Sequence, residues 1–447
     1  MAIGRLSLLL FIVLVTFDGA IRKWVFPGAQ TLIFILKDAL LLAVLLYALF
    51  QPQGSRQRLA MPPYAAAALA AYAIWVALQC FNPHLPNTAV AIWGAKNHLL
   101  YAGLIIVVAL AFRDVKSVYR QLLWIYPLLA VPVCIVSMLQ VYSPPDSPIN
   151  QQIEANLDAI SYFGEENLVR VSGTFSYLSG MGAFVEVAAL IGVALLIAGA
   201  RSIPFLVAIV MVAVALPTTG SRSVIVVVGV GVLVMLAAAS VGRLISTGGA
   251  IRALAMLAVI GLASLSLMDS AWDALNERYV ENQDEGKGRM ITAFTNAFDF
   301  IEIAGPAGFG TGATNLGATA LTPEVLPFSW LPRGVTFEEE SGRTVLELGW
   351  IGLILSLLLR LSLVWWSVRL LLSGRALTSR LAAVMALPFM LLGLYQGQGF
   401  TAATYIPVAY WFSVALLTLA QFEENKMRVP QPQQRSRVAR GVAGQPS

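Results

Sequence analysis

Residues 223–240 read SVIVVVGVGVLVMLAAAS, eighteen positions without a charge, and Arg222 stands at their mouth behind PTTGS (217–221). A helix needs roughly 20 apolar residues, at about 1.5 Å of rise each, to cross some 30 Å of hydrocarbon. Similar runs occupy residues 3–17, 31–50, 63–80, 88–112, 121–142, 174–200, 203–218, 253–268, 345–366, 381–395 and 403–420. With 58% hydrophobic and 12% charged residues, the chain inverts the balance of a soluble domain. The expectation is an all-α polytopic membrane protein of about twelve transmembrane helices, of which those at 203–218, 253–268 and 381–395 are short.

Between Met268 and Val345 the chain turns polar and carries 12 of the 24 Asp and Glu residues. Only Arg278, Lys287, Arg289, Arg333 and Arg343 oppose them there. The organisation that follows is nine membrane helices over 1–268 with a loop near 143–172, a large loop over 269–344, helices 10–12 over 345–422, and a tail over 423–447. The tail is rich in Pro, Gln and Arg, lacks apolar periodicity, and reads as disordered and cytoplasmic.

Positively charged residues mark the cytoplasmic side. Arg5, Arg56, Arg58, Arg113, Lys116, Arg120, Arg201, Arg243, Arg252, Arg369, Arg375, Arg380 and the tail fall on alternate connections, the same side as both termini. The acidic loop then faces the periplasm of a Gram-negative cell, and the protein sits in the inner (cytoplasmic) membrane. The surplus of +5 is thus a topology signal; no basic face with interleaved aromatics points to nucleic acid. The first run lacks a small-x-small cleavage site and is followed by FDGAIRKWVF (17–26), whose charges and Trp suit an interface, so it reads as a retained helix.

Cys80 and Cys134 lie in separate spans, and His84 and His98 on opposite sides of a span start. Neither a disulfide framework nor a metal centre is expected. The halves show no pairing of broken helices of the kind carriers use. Lys37, Asp38, Lys96, Glu186 and Arg360 fall inside spans; facing lipid each would cost about 2.5–3.5 kcal/mol, so they should pair or face water.

Four features on the outer side can carry chemistry: Arg170 in RVSGTFSY (170–177); Arg222; Arg289 in GKGRMITAF (286–294), followed by GPAGFGTGATNLGA (305–318); and FEEESGRTVLELGWIGL (337–353). A single arginine at the bilayer surface ordinarily anchors its helix by snorkelling. Several on the side where the charge rule disfavours them suit a lipid-linked phosphate or pyrophosphate, because a guanidinium fork matches its oxygens bidentately. Gly308, Gly310 and Gly312 form either a flexible turn or a loop whose amides approach a substrate; no strand precedes them, so a dinucleotide fingerprint is rejected. Glu338, Glu339 and Glu340 are either a solvated acidic turn or, since crowding like charges favours proton uptake, a general base beside Arg343.

Taken in order, FDGAIRKW (17–24), RVSGTF (170–175), TGSRS (219–223), the GR-initiated segment with its G-x-G-x-G turn, and EEESGR-x3-ELGWIGL (338–353) resemble the bacterial O-antigen ligase and polysaccharide polymerase superfamily. The resemblance implies a metal-independent, cofactor-free glycosyltransferase that moves a glycan from undecaprenyl pyrophosphate onto a hydroxyl of lipid A core or of another lipid-linked repeat unit. By the motif match Arg222 and Arg289, with Arg170, would bind the donor pyrophosphate and Arg343 would lie beside the reacting sugar. The chain departs from the pattern of many ligases in having no histidine ahead of the E-x-G lead-in to the tenth span, which passes the role of base to a carboxylate. Two other classes fit a polytopic chain: a lipid-linked glycan flippase or exporter, and a noncatalytic subunit of a polysaccharide assembly complex. Loss of activity on deleting 284–317 separates the transferase from the exporter.

Overall fold

A computed structural model of the protein describes residues 2–51, 59–153, 162–163, 168–268, 270, 272–273, 283–332, 337, 339–395 and 404–428. The chain is a membrane-embedded helical bundle. Its first half runs through α1 (Ala2–Ala20), α2 (Gln30–Leu49), α3 (Pro63–Gln79), α4 (Thr88–Leu99), α5 (Leu104–Ala111), α6 (Val115–Val141) and α7 (Leu178–Ile197). Then follow α8 (Ile203–Ala215), α9 (Arg222–Val241), α10 (Thr247–Leu267), α11 (Gln283–Ala304), α12 (Leu316–Ala320), α13 (Glu340–Ser373), α14 (Leu377–Tyr395) and α15 (Tyr405–Arg428). A two-stranded hairpin, β1 (Tyr162–Phe163) against β2 (Leu168–Val169), interrupts the connection from α6 to α7.

Among the described residues nine helical segments are long and apolar enough to span a membrane, and Pro63–Gln79, Ile203–Ala215 and Gly248–Val259 are shorter apolar helices. Each overlaps one apolar run of the sequence, but only nine of the expected twelve reach the length of a crossing among the described residues. Capping sets several of their starts, as sequence chemistry requires: Asn87 accepts from Val90 N, Asp114 from Ser117 N and Ser246 from Gly249 N. With 78% of its apolar window buried, α15 is the central helix. Packing around it rests on van der Waals contact and interhelical hydrogen bonds, because lipid tails are as apolar as the side chains.

Hydrogen bonds between connections define two ends of the bundle. At one end Arg5 Nε donates to Ala111 O (2.9 Å), Val115 N to Glu423 Oε1 (2.8 Å) and Arg380 Nη1 to Gly242 O (2.8 Å). At the other, Ala20 N donates to Thr174 O (2.7 Å), Trp24 Nε1 to Pro148 O (3.1 Å) and Asn82 Nδ2 to Gly308 O (3.0 Å). Alternate connections therefore gather at the same end.

Ionisable side chains within the bundle pair: Lys37 with Asp18 (2.8 Å), Lys96 with Asp38 (2.7 Å) and Arg360 with Glu340 (3.4 Å). Glu186 is the exception, with no ion pair among the described residues.

Two features differ from the sequence expectation. The polar segment is more than a loop, because α11 lies within it and packs along the first turns of α13 through Ala297, Phe300, Val345 and Leu346. And α13 begins at Glu340, five residues before the apolar run, but is broken at Gly349 (φ 68°, ψ −178°). The break strands backbone groups that lipid cannot satisfy. The turn that follows α11 takes them up: Phe309 N and Gly310 N donate to Leu346 O (2.7 Å) and Glu347 O (2.9 Å), while Trp350 N donates to Gly305 O (3.1 Å). Trp75 Nε1 closes the set on Leu348 O at 2.9 Å. A Cβ at position 349 would overlap the Pro306 carbonyl, so this site admits glycine only.

Gly349→Ala should therefore lower stability by roughly 1–3 kcal/mol or more, read as a fall in thermal unfolding temperature of the detergent-purified protein. Gly229→Ala, a helical position in α9 where an added Cβ meets nothing within 4 Å, should be neutral or mildly stabilising. Equal effects at the two positions would refute the role given to the break.

Candidate functional site

The short arm of α13, Glu340 to Leu348, sits at the end of the bundle that carries Asn82 and Gly308. Two small residues let it dock on α11. Ser341 Oγ donates to Ala293 O (2.8 Å), and a Cβ on Gly342 would overlap Asn296 Oδ1. The arm then delivers Glu347 into a buried cage. Its Oε2 accepts from His98 Nε2 (2.9 Å) and Gly312 N (2.9 Å), and its Oε1 from Thr314 N (3.2 Å) and Thr314 Oγ1 (2.7 Å). The other nitrogen of the imidazole, Nδ1, meets the Tyr72 hydroxyl at 2.9 Å.

This cage unites α3, α4, the glycine turn and α13. Gly94 and Gly312 are in backbone contact, since a Cβ on either would overlap the other's main chain or that of Val90. Gly308, Gly310 and Gly312 all have positive φ (71°, 96° and 85°). Their turn is held inside the protein, with the Phe309, Gly310 and Gly312 amides engaged by α13. Four donors converge on the Glu347 carboxylate and both imidazole nitrogens are occupied, so this group positions the turn.

The EEESGR segment has unfilled hydrogen-bonding capacity. Glu339 and Glu340 are buried, while Glu338 lies outside the described residues. One oxygen of Glu340 faces Arg360 Nη2 at 3.4 Å; the other, Oε2, is buried without a partner. Arg360 is fixed from behind by Gly393 O, which accepts from its Nη1 at 2.6 Å. Three residues on, Arg343 donates through Nη1 to Thr314 O (3.3 Å) and lies over the Phe337 ring (5.2 Å), and its Nε is buried without a partner. Residues three apart share a helix face. The first turn of α13 thus carries a buried acceptor and a buried donor three residues apart.

Arg222 is the first residue of α9, reached through the Pro217–Thr219 turn and the left-handed Gly220. A Cβ on Gly182 would lie 3.1 Å from Val224 Cγ2, which sets the start of α9 beside the start of α7, at the same end as the cage. Arg170, half-buried, follows β2 at that end. Arg289 belongs to α11, but its side chain is outside those described. Among the described residues no hydrogen bond or ion pair joins Arg170 or Arg222 to Glu340 or Arg343.

Two motifs that are 150 residues apart form one unit. Lys23 Nζ donates to Ser172 Oγ (3.0 Å) and Gly173 O (2.8 Å), Arg22 Nη1 to Ser176 Oγ (2.9 Å), and Thr174 Oγ1 to Thr16 O (2.7 Å). No group of three or more His, Cys, Asp or Glu among the described residues is placed to hold a metal ion. The chain matches no protein-family profile, and no curated protein matches it significantly.

In the sequence His98 stood out only as unfit for a metal centre, Tyr72 not at all, and Glu347 as the first residue of the E-x-G lead-in to the tenth span and a fallback for the base. One signal was present: Glu347 opens the ELG triplet, and a carboxylate inside an apolar run needs buried donors. Glu347→Gln and His98→Ala should each lower the unfolding temperature, yet the double variant should lose less than the sum, with a coupling of roughly 0.5–3 kcal/mol. Strict additivity would show that the 2.9 Å contact contributes nothing.

Proposed function

We propose that this protein is a membrane-embedded glycosyltransferase of the O-antigen ligase or polysaccharide polymerase type. It transfers a glycan, with inversion and without a metal, from undecaprenyl pyrophosphate to an acceptor hydroxyl on the periplasmic side of the bacterial inner membrane. The observation that carries the reading is that Glu340 Oε2 and Arg343 Nε, three residues apart on the first turn of α13, are both buried without a hydrogen-bond partner. A sugar offers hydroxyls to both. The ordered motifs of the sequence and the gathering of their outer-side segments at one end of the bundle support it.

In this reading Glu340 takes the proton from the acceptor hydroxyl as the oxygen attacks the anomeric carbon. The bond from that carbon to the pyrophosphate breaks, and undecaprenyl pyrophosphate departs with the electron pair. Arg222, Arg289 and Arg170 stabilise that leaving anion, since fixed guanidinium groups in a low-dielectric cleft need no reorganisation as charge develops. Arg343 holds the reacting sugar and Arg360 holds Glu340 in place. Base and leaving group on opposite faces of the sugar give inversion. Twelve crossings with both termini cytoplasmic follow from the positions of the Lys and Arg residues.

At matched protein level, Glu340→Gln should lower transfer roughly 100-fold or more, while Glu339→Gln retains most activity. The assay is formation of polymer or ligated glycan from lipid-linked donor in membranes; near-normal transfer by Glu340→Gln removes that residue as base. The orientation is tested separately. With Cys80 and Cys134 replaced, a cysteine at Pro323 should react with a membrane-impermeant thiol reagent in cells with a permeabilised outer membrane, and one at Arg375 should not. The reverse pattern would overturn the orientation.

A further inference from the structure

The end of the bundle where Arg5 and Arg380 make their contacts, opposite the cage, holds a cleft of about 180 Å³. Residues within 61–63, 369–374 and 421–428, from the start of α3 and the last turns of α13 and α15, form its walls. It has room for a small organic molecule or several waters. Glu424 lines this cleft, although the residue is only 1% exposed. Its Oε1 accepts from Ala376 N (2.8 Å), while its Oε2 is buried without a hydrogen-bond partner. Glu423 shows the contrast: its two oxygens accept from Val115 N (2.8 Å) and Thr378 Oγ1 (2.5 Å). Of two adjacent carboxylates that clamp connections, one is fully used and the other by half.

Two cations line the same cleft, Arg369 and Arg428, and both are exposed. Arg428 follows Glu424 by four residues, the spacing at which helical ion pairs form. Yet among the described residues no ion pair joins Glu424 to either arginine or to any other cation. The remaining charges nearby are engaged elsewhere or stand outside the cleft: Arg380 Nη1 donates to Gly242 O (2.8 Å), Lys426 lies over the Phe422 ring (4.4 Å), and Arg375 is exposed. The amides of the wall are also committed, with Gln421 Nε2 donating to Asn425 Oδ1 (2.9 Å) and Trp366 Nε1 to Gln421 Oε1 (3.2 Å). A buried carboxylate oxygen without a donor is costly to hold. The cleft therefore presents one unanswered negative group and two unpaired positive ones.

We propose that this cleft binds a small zwitterion, a group that carries a primary ammonium and an anion on a short tether. The ammonium is the donor that Glu424 Oε2 lacks, being compact and able to give three hydrogen bonds. The anion answers the guanidinium groups of Arg369 and Arg428. A lone cation would be repelled by two arginines, and a lone anion would leave Glu424 unanswered. Only a ligand with both charges meets all three groups. A soluble amino acid has this chemistry, and so does the headgroup of an aminophospholipid. Bound there, it would tie the start of α3 to the last turns of α13 and α15. The site stands independently of the transferase reading, because the Glu340 and Arg343 pair is at the other end of α13.

The plain alternative is that Glu424 serves only to clamp the connection at Ala376. Ligand that binds the native state raises its unfolding temperature by mass action, so thermal unfolding of the full-length protein separates the two. In maltoside detergent it is followed with added γ-aminobutyrate, with n-butylamine and with butyrate. In nanodiscs it is followed in phosphatidylcholine, whose ammonium has no hydrogen to donate, with and without phosphatidylethanolamine. Wild type is expected to be stabilised by γ-aminobutyrate or by phosphatidylethanolamine, and by neither butylamine nor butyrate. A response to γ-aminobutyrate supports a soluble ligand; a response to phosphatidylethanolamine alone supports a headgroup. Glu424→Gln retains an acceptor for Ala376 N and should weaken binding roughly tenfold or more, the worth of one hydrogen bond between charged groups.

Should Glu424→Gln fail to fold, the Arg369→Gln, Arg428→Gln double variant, altered at two exposed positions, must lose the response instead. No stabilisation of wild type by either zwitterion, or an equal response in wild type and the folded variants, would overturn the proposal. A response to butylamine as large as that to γ-aminobutyrate would mark a simple cation site and likewise overturn it. Glycan transfer is not read in any arm, so the outcome is separate from the fate of the transferase reading.

Discussion

Everything at the polar end of the bundle depends on the break at Gly349. A helix interrupted in or beside hydrocarbon strands carbonyls and amides, each costing several kcal/mol if left in lipid. Here they are met by Phe309 N, Gly310 N, Gly305 O and the Trp75 indole. All but the indole exist only while the 305–312 turn is docked. Docking needs backbone contact with α4 at Gly94, and the Gly312 amide and Thr314 then converge on Glu347. One conformational exception in α13 thereby anchors the polar segment to the membrane helices.

The same reasoning ranks the buried polar groups. A charged side chain at the bilayer centre costs about 2.5–3.5 kcal/mol by insertion scales, which a hydrogen-bonded partner largely offsets. Lys37 and Asp18, Lys96 and Asp38, and Glu347 with His98 meet that demand fully. Glu340 and Arg22 meet it in part, each leaving one buried polar atom without a partner. Buried atoms without a hydrogen-bond partner also occur at Tyr64, Asn150, Asn296, Arg380 and Glu424, so incomplete satisfaction points to ligand chemistry only where groups of opposite charge lie on one helical turn, as at Glu340 and Arg343 and, lining a cleft, at Glu424 and Arg428.

Most of the helical runs were legible in the sequence because they are long, apolar and bounded by charge or proline. The polarity of the 268–345 segment was equally plain. The break at Gly349 was hidden, because ELGWIGL reads as an uninterrupted apolar helix and only the docked turn makes a left-handed glycine necessary. His98 was hidden for another reason: its partner Glu347 is 249 positions away, and no local pattern encodes a pair at that distance. The union of FDGAIRKW with RVSGTFS was likewise invisible, although each motif stood out alone through its charges.

Helix α4 limits how two charged regions, the Lys96 and Asp38 pair and the Glu347 cage, can behave. Trp93 and Lys96 lie against the Phe34 ring, at 5.8 and 5.6 Å, while Gly94 and His98 belong to the Glu347 cage, so four residues within one six-residue stretch serve both. Trp93 Nε1 also donates to Asn315 Oδ1 (3.2 Å), the residue after Thr314. Backbone contact at Gly94 and Gly312 leaves no gap in which α4 could slide, and packed interiors resist small displacements. A shift of Lys96 must therefore carry His98, Glu347 and the glycine turn with it, or be absorbed by the long lysine stem. The stem is the softer element, having four rotatable carbons against a closed set of short hydrogen bonds. The cage is thus built to hold the start of α13 fixed while the lysine side chain adjusts.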